Sequence, residues 1–197
     1  MNKLIQKSKP TALFCILFFL NSCNLHKEPK QTSWALNKES SSISITSTKN
    51  NSISEVFDFK EFTGKINETG YLEISIALNS LETNIPIRNE RIQEHLFETK
   101  LYPTADIHTQ LQPNDLKDGV HTITFDVDLH GVSSIVTAEF MVVNQNKNKI
   151  ISLHKPLIIQ ANMFNLESGI TALKNIASLQ SIASTVPMNI VLTFEKK

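Results

Sequence analysis

Alternation of apolar and polar side chains, repeated in several separate stretches, most constrains this chain. Leu72, Ile74, Ile76 and Leu78 share one parity, while Tyr71, Glu73, Ser75 and Ala77 hold the other. Successive side chains of an extended strand point to opposite faces, so the pattern predicts a strand with one buried and one wet face. Ile123, Phe125, Val127 and Leu129 repeat it against Thr122, Thr124, Asp126 and Asp128. Further strands are read at Val136 to Val142, at Ile151 and Leu153, and at the C-terminus through Met188, Ile190, Leu192 and Phe194. Earlier ones fall at Ile43 and Ile45 and around Phe57 and Phe59.

Turn-forming residues separate these runs, at Asn67 to Gly70, Pro113 to Asp115, Asp118-Gly119, His130-Gly131 and Asn144 to Lys149. Their short spacing favours antiparallel hairpins over crossover units. Several one-sided strands in a single domain mean a barrel or a sandwich. Two segments depart from the pattern. Arg88 to Glu98 places Ile92, Leu96 and Phe97 at helical spacing among charged residues, which predicts a short amphipathic helix crossing outside or over an end of the barrel. Asn165 to Ala183 follows three- and four-residue apolar steps and reads as one helix, with Ser178 a candidate break. Pro187 is expected just ahead of the last strand.

The first residues read as an address. Lys3, Lys7 and Lys9 precede the apolar run Thr11 to Leu20, the layout of a secretory signal, and ten apolar residues are too few for a spanning helix. Leu20-Asn21-Ser22-Cys23 resembles the lipobox of bacterial lipoproteins, in which cleavage falls before a Cys that is then lipidated. The alternative is a plain signal with a chance Cys near its cleavage site. Of the two Cys, Cys15 would be lost with the signal, leaving Cys23 as a lone thiol in an exported chain, a liability that acylation removes. The expected organisation is therefore a signal over residues 1–22, a polar tether over 23–32 and one domain over 33–197. The expected setting is the periplasmic side of a bacterial envelope, with Asn24 rather than Asp after Cys23 favouring the outer membrane.

Charge excludes one class of partner. Of the 197 residues, 19 are basic and 19 acidic, interspersed, and loss of the three Lys ahead of Cys23 leaves 16 against 19. A phosphate backbone needs a cationic cluster, so no nucleic acid is expected, and no electrostatic pull holds the chain to anionic lipid. Membrane attachment rests on the acyl anchor, since several acyl chains hold a protein on a bilayer where one is marginal.

Catalytic patterns are absent. There is no Gly-x-Ser-x-Gly elbow and no phosphate-cradling glycine loop, and the six His show no metal-ligand spacing. Neither catalytic residues nor a metal or cofactor is expected. Asp126 and Asp128 share the outward face of a strand, where solvation is the simpler reading. What stands out is the apolar interior. Phe57, Phe59, Phe125, Phe140 and Phe194 fall on inward parities, and 11 Phe against two Tyr and one Trp supply bulk without polar handles. In a small barrel such side chains either fill the lumen, leaving a structural or interaction protein, or line a cavity for an apolar ligand.

A resemblance favours the cavity. Leu78 to Pro103, with Ser80, Glu82, Thr83, Arg91, His95, Leu96, Phe97, Tyr102 and Pro103 in matching places, resembles the central signature of the YceI-like family of lipid- or polyisoprenoid-binding proteins. Trp34 and Leu36, and Leu129-His130-Gly131-Val132, agree with it. The resemblance implies an all-β fold, an eight-stranded antiparallel lipocalin-like barrel with one or two short helices. It also implies a hydrophobic cavity for a long isoprenoid, quinone or acyl chain, and no catalysis. Carried onto this sequence, it makes Phe57, Phe59, Ile74, Ile76, Phe125, Val127, Phe140 and Leu192 the expected lining. Arg88 and Arg91 are candidate contacts to a polar or pyrophosphate head group, the alternative being that both simply solvate the face of their helix. The chain departs from the family pattern at Asn165 to Ala183, a helix longer and less polar than a simple connection.

Overall fold

The computed structural model describes residues 32–197; the signal, Cys23 and all of the tether except Thr32 lie outside the described residues. The elements run β1 (Trp34–Lys49), β2 (Ile53–Phe59), β3 (Phe62–Ile66), β4 (Tyr71–Ala77), β5 (Leu81–Glu82), α1 (Pro86–His95) and β6 (Thr104–Gln110). They continue with β7 (Gly119–Leu129), β8 (Val132–Gln145), β9 (Asn148–Leu153), β10 (Leu157–Gln160), α2 (Glu167–Ile176) and β11 (Thr185–Lys196). Antiparallel pairing proceeds β1, β3, β4, β6, β7, β8, β9, β11 and back to β1, closing an eight-stranded barrel. Strands β2, β5 and β10 extend the sheet beyond the closed ring. Closure leaves the ring strands no open edge along the paired region.

Strand β1 builds both the ring and its extension. Its start pairs β3, Trp34 opposite Ile66, while its second half pairs β2 from Ile43 opposite Phe59 to Lys49 opposite Ile53. On the other side it pairs β11 with an irregularity between Asn37 and Ser42. Thr193 of β11 stitches that bulge, donating its backbone N–H to Ser41 Oγ at 2.9 Å and its hydroxyl to the Ser40 carbonyl at 2.7 Å. Two backbone groups that the bulge takes out of the ladder, the Thr193 N–H and the Ser40 carbonyl, are thereby satisfied.

The alternation seen in the sequence becomes burial. Ile123, Phe125 and Val127 are buried while Thr122 and Thr124 are exposed, and Phe164, Phe194, Ile66 and Val142 are fully enclosed. At the β7–β8 turn His130 and Gly131 have φ of 53° and 75°, the left-handed pair that a two-residue hairpin requires.

The two helices cross one end of the barrel. α1 begins with Pro86 at its first position, where a missing N–H costs nothing. α2 is shorter than the periodicity of residues 165–183 predicts. Ser178 ends it in the left-handed conformation, φ 52°, and the Leu179 N–H returns to the Lys174 carbonyl at 2.9 Å, a local closure that stops the helix. Residues 181–183 then run as a strap against the end of β1, with the Asn50 N–H donating to the Ser181 carbonyl and the Ala183 N–H to the Thr48 carbonyl. Pro187 is not ahead of the last strand but inside it, opposite Ile158 of the four-residue β10. A short flanking partner tolerates the donor that proline lacks.

Candidate functional site

The barrel interior is not filled. Three cavities share walls along its length, of about 220, 120 and 30 Å³. The largest lies under the helices, among Phe57 of β2, Arg88, Arg91 and Ile92 of α1, and Leu173 of α2. It shares Ile45, Leu96, Ile170 and Val186 with the middle cavity, which in turn shares Ile107, Phe125 and Ile190 with the smallest. The middle cavity is lined by apolar side chains alone, Phe59, Ile76, Val127, Phe97 and Phe164 among them. A dry apolar cavity of about 150 Å³ accepts a benzene-sized guest, so each of the two larger spaces is of the order that holds one segment of an apolar chain.

The expected lining residues divide among these spaces. Phe59, Ile76, Phe125 and Val127 face the middle cavity, Phe57 the mouth, and Ile74, Phe140 and Leu192 the inner end, where Phe125 and Phe140 meet edge to face with ring centres 5.9 Å apart. The sequence reading did not single out Ala105 and Ile107 of β6, Leu157 and Ile159 of β10, or Phe164 and Ile170 as wall. Ile170 belongs to the helical periodicity already noted, and Ala105, Ile107 and Thr109 do alternate, but with small and polar members that blur the pattern.

The two arginines differ. Arg88 is already engaged: Nη1 donates to both Glu55 oxygens at 2.9 and 3.1 Å, Nη2 donates to the Thr83 carbonyl at 2.7 Å, and the guanidinium lies 4.7 Å from the centre of the Phe57 ring. Glu55 also pairs with Lys49 at 2.7 Å. The Lys49 hydrogen bond, and after it that of Arg88, outweighs burial and holds the Glu55 carboxyl below the ordinary glutamate range. Arg88 Nε is buried without a partner among the described residues. Arg91 lines the same cavity and makes no ion pair among the described residues. Of the pair, Arg91 is thus the cation with donors to offer a ligand, and Arg88 fastens α1 to β2.

The signature residues of the sequence serve the same fastening. Thr83 is buried; its hydroxyl and its N–H both donate to Asn89 Oδ1, at 2.5 and 3.0 Å. Asn89 Nδ2 donates to Glu82 Oε1 at 3.0 Å, and the Glu61 N–H donates to Ser80 Oγ at 3.0 Å. These bonds fix the start of α1 over the barrel end and so set the geometry of the mouth. The carboxylates of Asp126 and Asp128 flank His108 on the outer wall, at 3.9 and 3.6 Å, away from the cavities.

The profile of YceI-like domains matches residues 34–194, nearly the whole described region. The chain belongs to the YceI-like family. Among solved structures this YceI-like domain is similar to a polyisoprenoid binding domain from Saccharophagus degradans implicated in plant cell wall breakdown. The two are 30% identical, with a TM-score of 0.80, over 83% of this chain and 98% of that one. BcnA of Burkholderia cenocepacia, at 19% identity, 80% and 98% coverage and a TM-score of 0.65, shares the fold. So does a Campylobacter jejuni YceI protein, at 19% identity, 76% and 90% coverage and a TM-score of 0.58. A search of curated protein sequences found no match.

Proposed function

We propose that this YceI-like protein binds a long apolar lipid, an isoprenoid, quinone or acyl chain, inside its barrel without transforming it, as a carrier, store or sensor. The observation that carries this reading is the wholly apolar middle cavity opening through shared walls to a mouth where Arg91 makes no ion pair among the described residues. Each methylene moved from water into such a space gains about 0.8 kcal/mol, so a chain long enough to run through the barrel needs no polar contact to stay. The 30% identical polyisoprenoid binding domain supports the ligand class. Arg91 meets a polar or anionic head group by charge-assisted hydrogen bonds, with Arg88 beside it as the second candidate contact.

The sequence ahead of the domain extends the proposal to an envelope lipoprotein acylated at Cys23 on the periplasmic side, in the outer membrane by the Asn24 criterion. Metabolic labelling with radioactive palmitate tests it: label that survives Cys23→Ala rejects the anchor. Native mass spectrometry of the exported protein, followed by solvent extraction, tests the binding. An added mass identified as a prenyl or acyl lipid is expected. An apo mass that persists after incubation with isoprenoid quinones and polyprenyl phosphates rejects the reading.

A further inference from the structure

The apolar character of the mouth continues onto the surface. Ile85 and Ile87, flanking Pro86 at the entry to α1, line the mouth cavity yet remain 44% and 52% exposed. Ala177 and Leu179, at the exit of α2, line the same cavity, and the adjoining Ile176 is 40% exposed. Two helix ends far apart in sequence therefore turn uncovered hydrocarbon outward at one opening. Exposed apolar residues on the barrel wall, such as Ile135, are ordinary single occurrences that border none of these spaces.

The net charge of the chain gives no general pull toward anionic lipid, but the charge beneath these lips has a local sign. The ionisable side chains lining the mouth are Lys49, Arg88 and Arg91 against Glu55 alone. A ring of hydrocarbon with cations just behind it matches the layering of a bilayer surface, where acyl chains lie under a plane of phosphates. A soluble protein partner would use the hydrocarbon but has no general need of the cations. The passage of the ligand supplies an independent argument. A chain that crosses water to reach the barrel is slowed roughly fourfold for every methylene exposed on the way. A mouth pressed into the bilayer removes that crossing.

We propose that the lips formed by residues 85–87 and 176–179 dock on the surface of a bilayer carrying anionic phospholipid, so that an apolar chain passes between bilayer and cavity without entering water. This rests on the lipid-binding reading above. The test uses the full exported chain with Cys23→Ser, so that no acyl anchor contributes, floated with vesicles of phosphatidylcholine and phosphatidylglycerol. In that background Ile87→Gln with Ile176→Gln removes hydrocarbon from both lips at exposed positions, and Ile135→Gln on the barrel wall is the control. The lip variant is expected to lose about tenfold or more of the vesicle-bound fraction, the loss that follows from two isoleucines no longer entering the membrane, and the control none.

Loading with a polyprenyl phosphate separates this proposal from the reading beneath it. Loading from vesicles relative to loading from detergent solution should be lower in the lip variant than in the parent, since any direct effect of Ile87 on the cavity enters both. Equal flotation of lip variant and parent, no flotation of the parent, or an equal ratio of vesicle to detergent loading overturns the docking surface. A parent that loads from neither source overturns the lipid-binding reading and the docking proposal with it.

Discussion

A Cβ placed on Gly169 of α2 would lie 2.5 Å from the His95 carbonyl oxygen and 2.8 Å from Leu96 Cα, so the two helices meet at a point with no room for a side chain. Both obstacles are backbone, at the last residue of α1 and the one that follows it, and cannot yield by changing rotamer. Gly169→Ala therefore parts the helices. The overpacking cost, about 1–3 kcal/mol, exceeds what alanine returns in helix propensity, about 1 kcal/mol. Leu96 is wall to both larger cavities, so the parted helices also loosen the mouth. Lower stability to urea and faster release of bound lipid are expected; a variant as stable as the parent contradicts this account of the crossing.

The strands that the sequence displayed are those whose inward residues are large. In β3 the inward set is Phe62, Gly64 and Ile66, and the glycine breaks the alternation because the site is tight: a Cβ there would sit 3.2 Å from the Glu73 carbonyl and 3.5 Å from Leu36 Cβ. β6 hides behind Ala105 and Thr109, and β10 has only four residues. The arginine roles were illegible for a different reason. Arg88 and Glu55 are 33 positions apart, and only the packing of α1 against β2 decides that one arginine is consumed by an internal pair while its neighbour one turn on is not. By contrast, the eight positions that the resemblance made the expected lining all border the cavities; six lie on strands of the closed ring, where parity decides inside from outside, and Phe57 and Phe59 reach the space from β2 beside it.

Filling the middle cavity tests its use directly. Val127 is buried against the 120 Å³ space, and Val127→Phe directs a ring into it. The added volume enters a void rather than packed neighbours, so the stability change is expected within about 1.5 kcal/mol, smaller than overpacking costs in a tight core. Lipid copurification should fall by an order of magnitude or more, read by native mass spectrometry. Full occupancy in a folded variant would place the ligand elsewhere.

The arginines should separate stability from binding. Arg88→Ala removes the bidentate partner of Glu55 and the donor to the Thr83 carbonyl. Hydrogen bonds to charged groups are worth about 1.5–3 kcal/mol, tempered here by partial exposure and by the remaining Lys49, so a destabilisation of about 1–2 kcal/mol is expected in urea unfolding. Arg91→Ala leaves those bonds intact. It should unfold like the parent, and it should bind a polyprenyl phosphate several-fold more weakly at low salt while binding the neutral quinone equally well. Equal losses for the two ligands would remove Arg91 from the head-group contact.

Lys149 gives the barrel an alkaline signature. It is a buried residue on β9, its Nζ donates to the Leu116 carbonyl at 2.6 Å and to Asn144 Oδ1, and it lies 4.9 Å from the centre of the Trp34 ring. Among the described residues it has no carboxylate in contact, and burial pushes its pKa below 10.5, only partly opposed by the more distant Asp118. In the window between that lowered value and 10.5 the unfolded chain holds a proton that the folded one has lost. Stability gains a positive contribution as pH rises through this window and none below it, where the ammonium is charged in both states. Lys149→Met abolishes the contribution. The difference in urea midpoint between parent and variant should therefore shift in favour of the parent on going from neutral pH towards 10.5, and a difference that stays constant over that range would mean that Lys149 titrates normally in the fold.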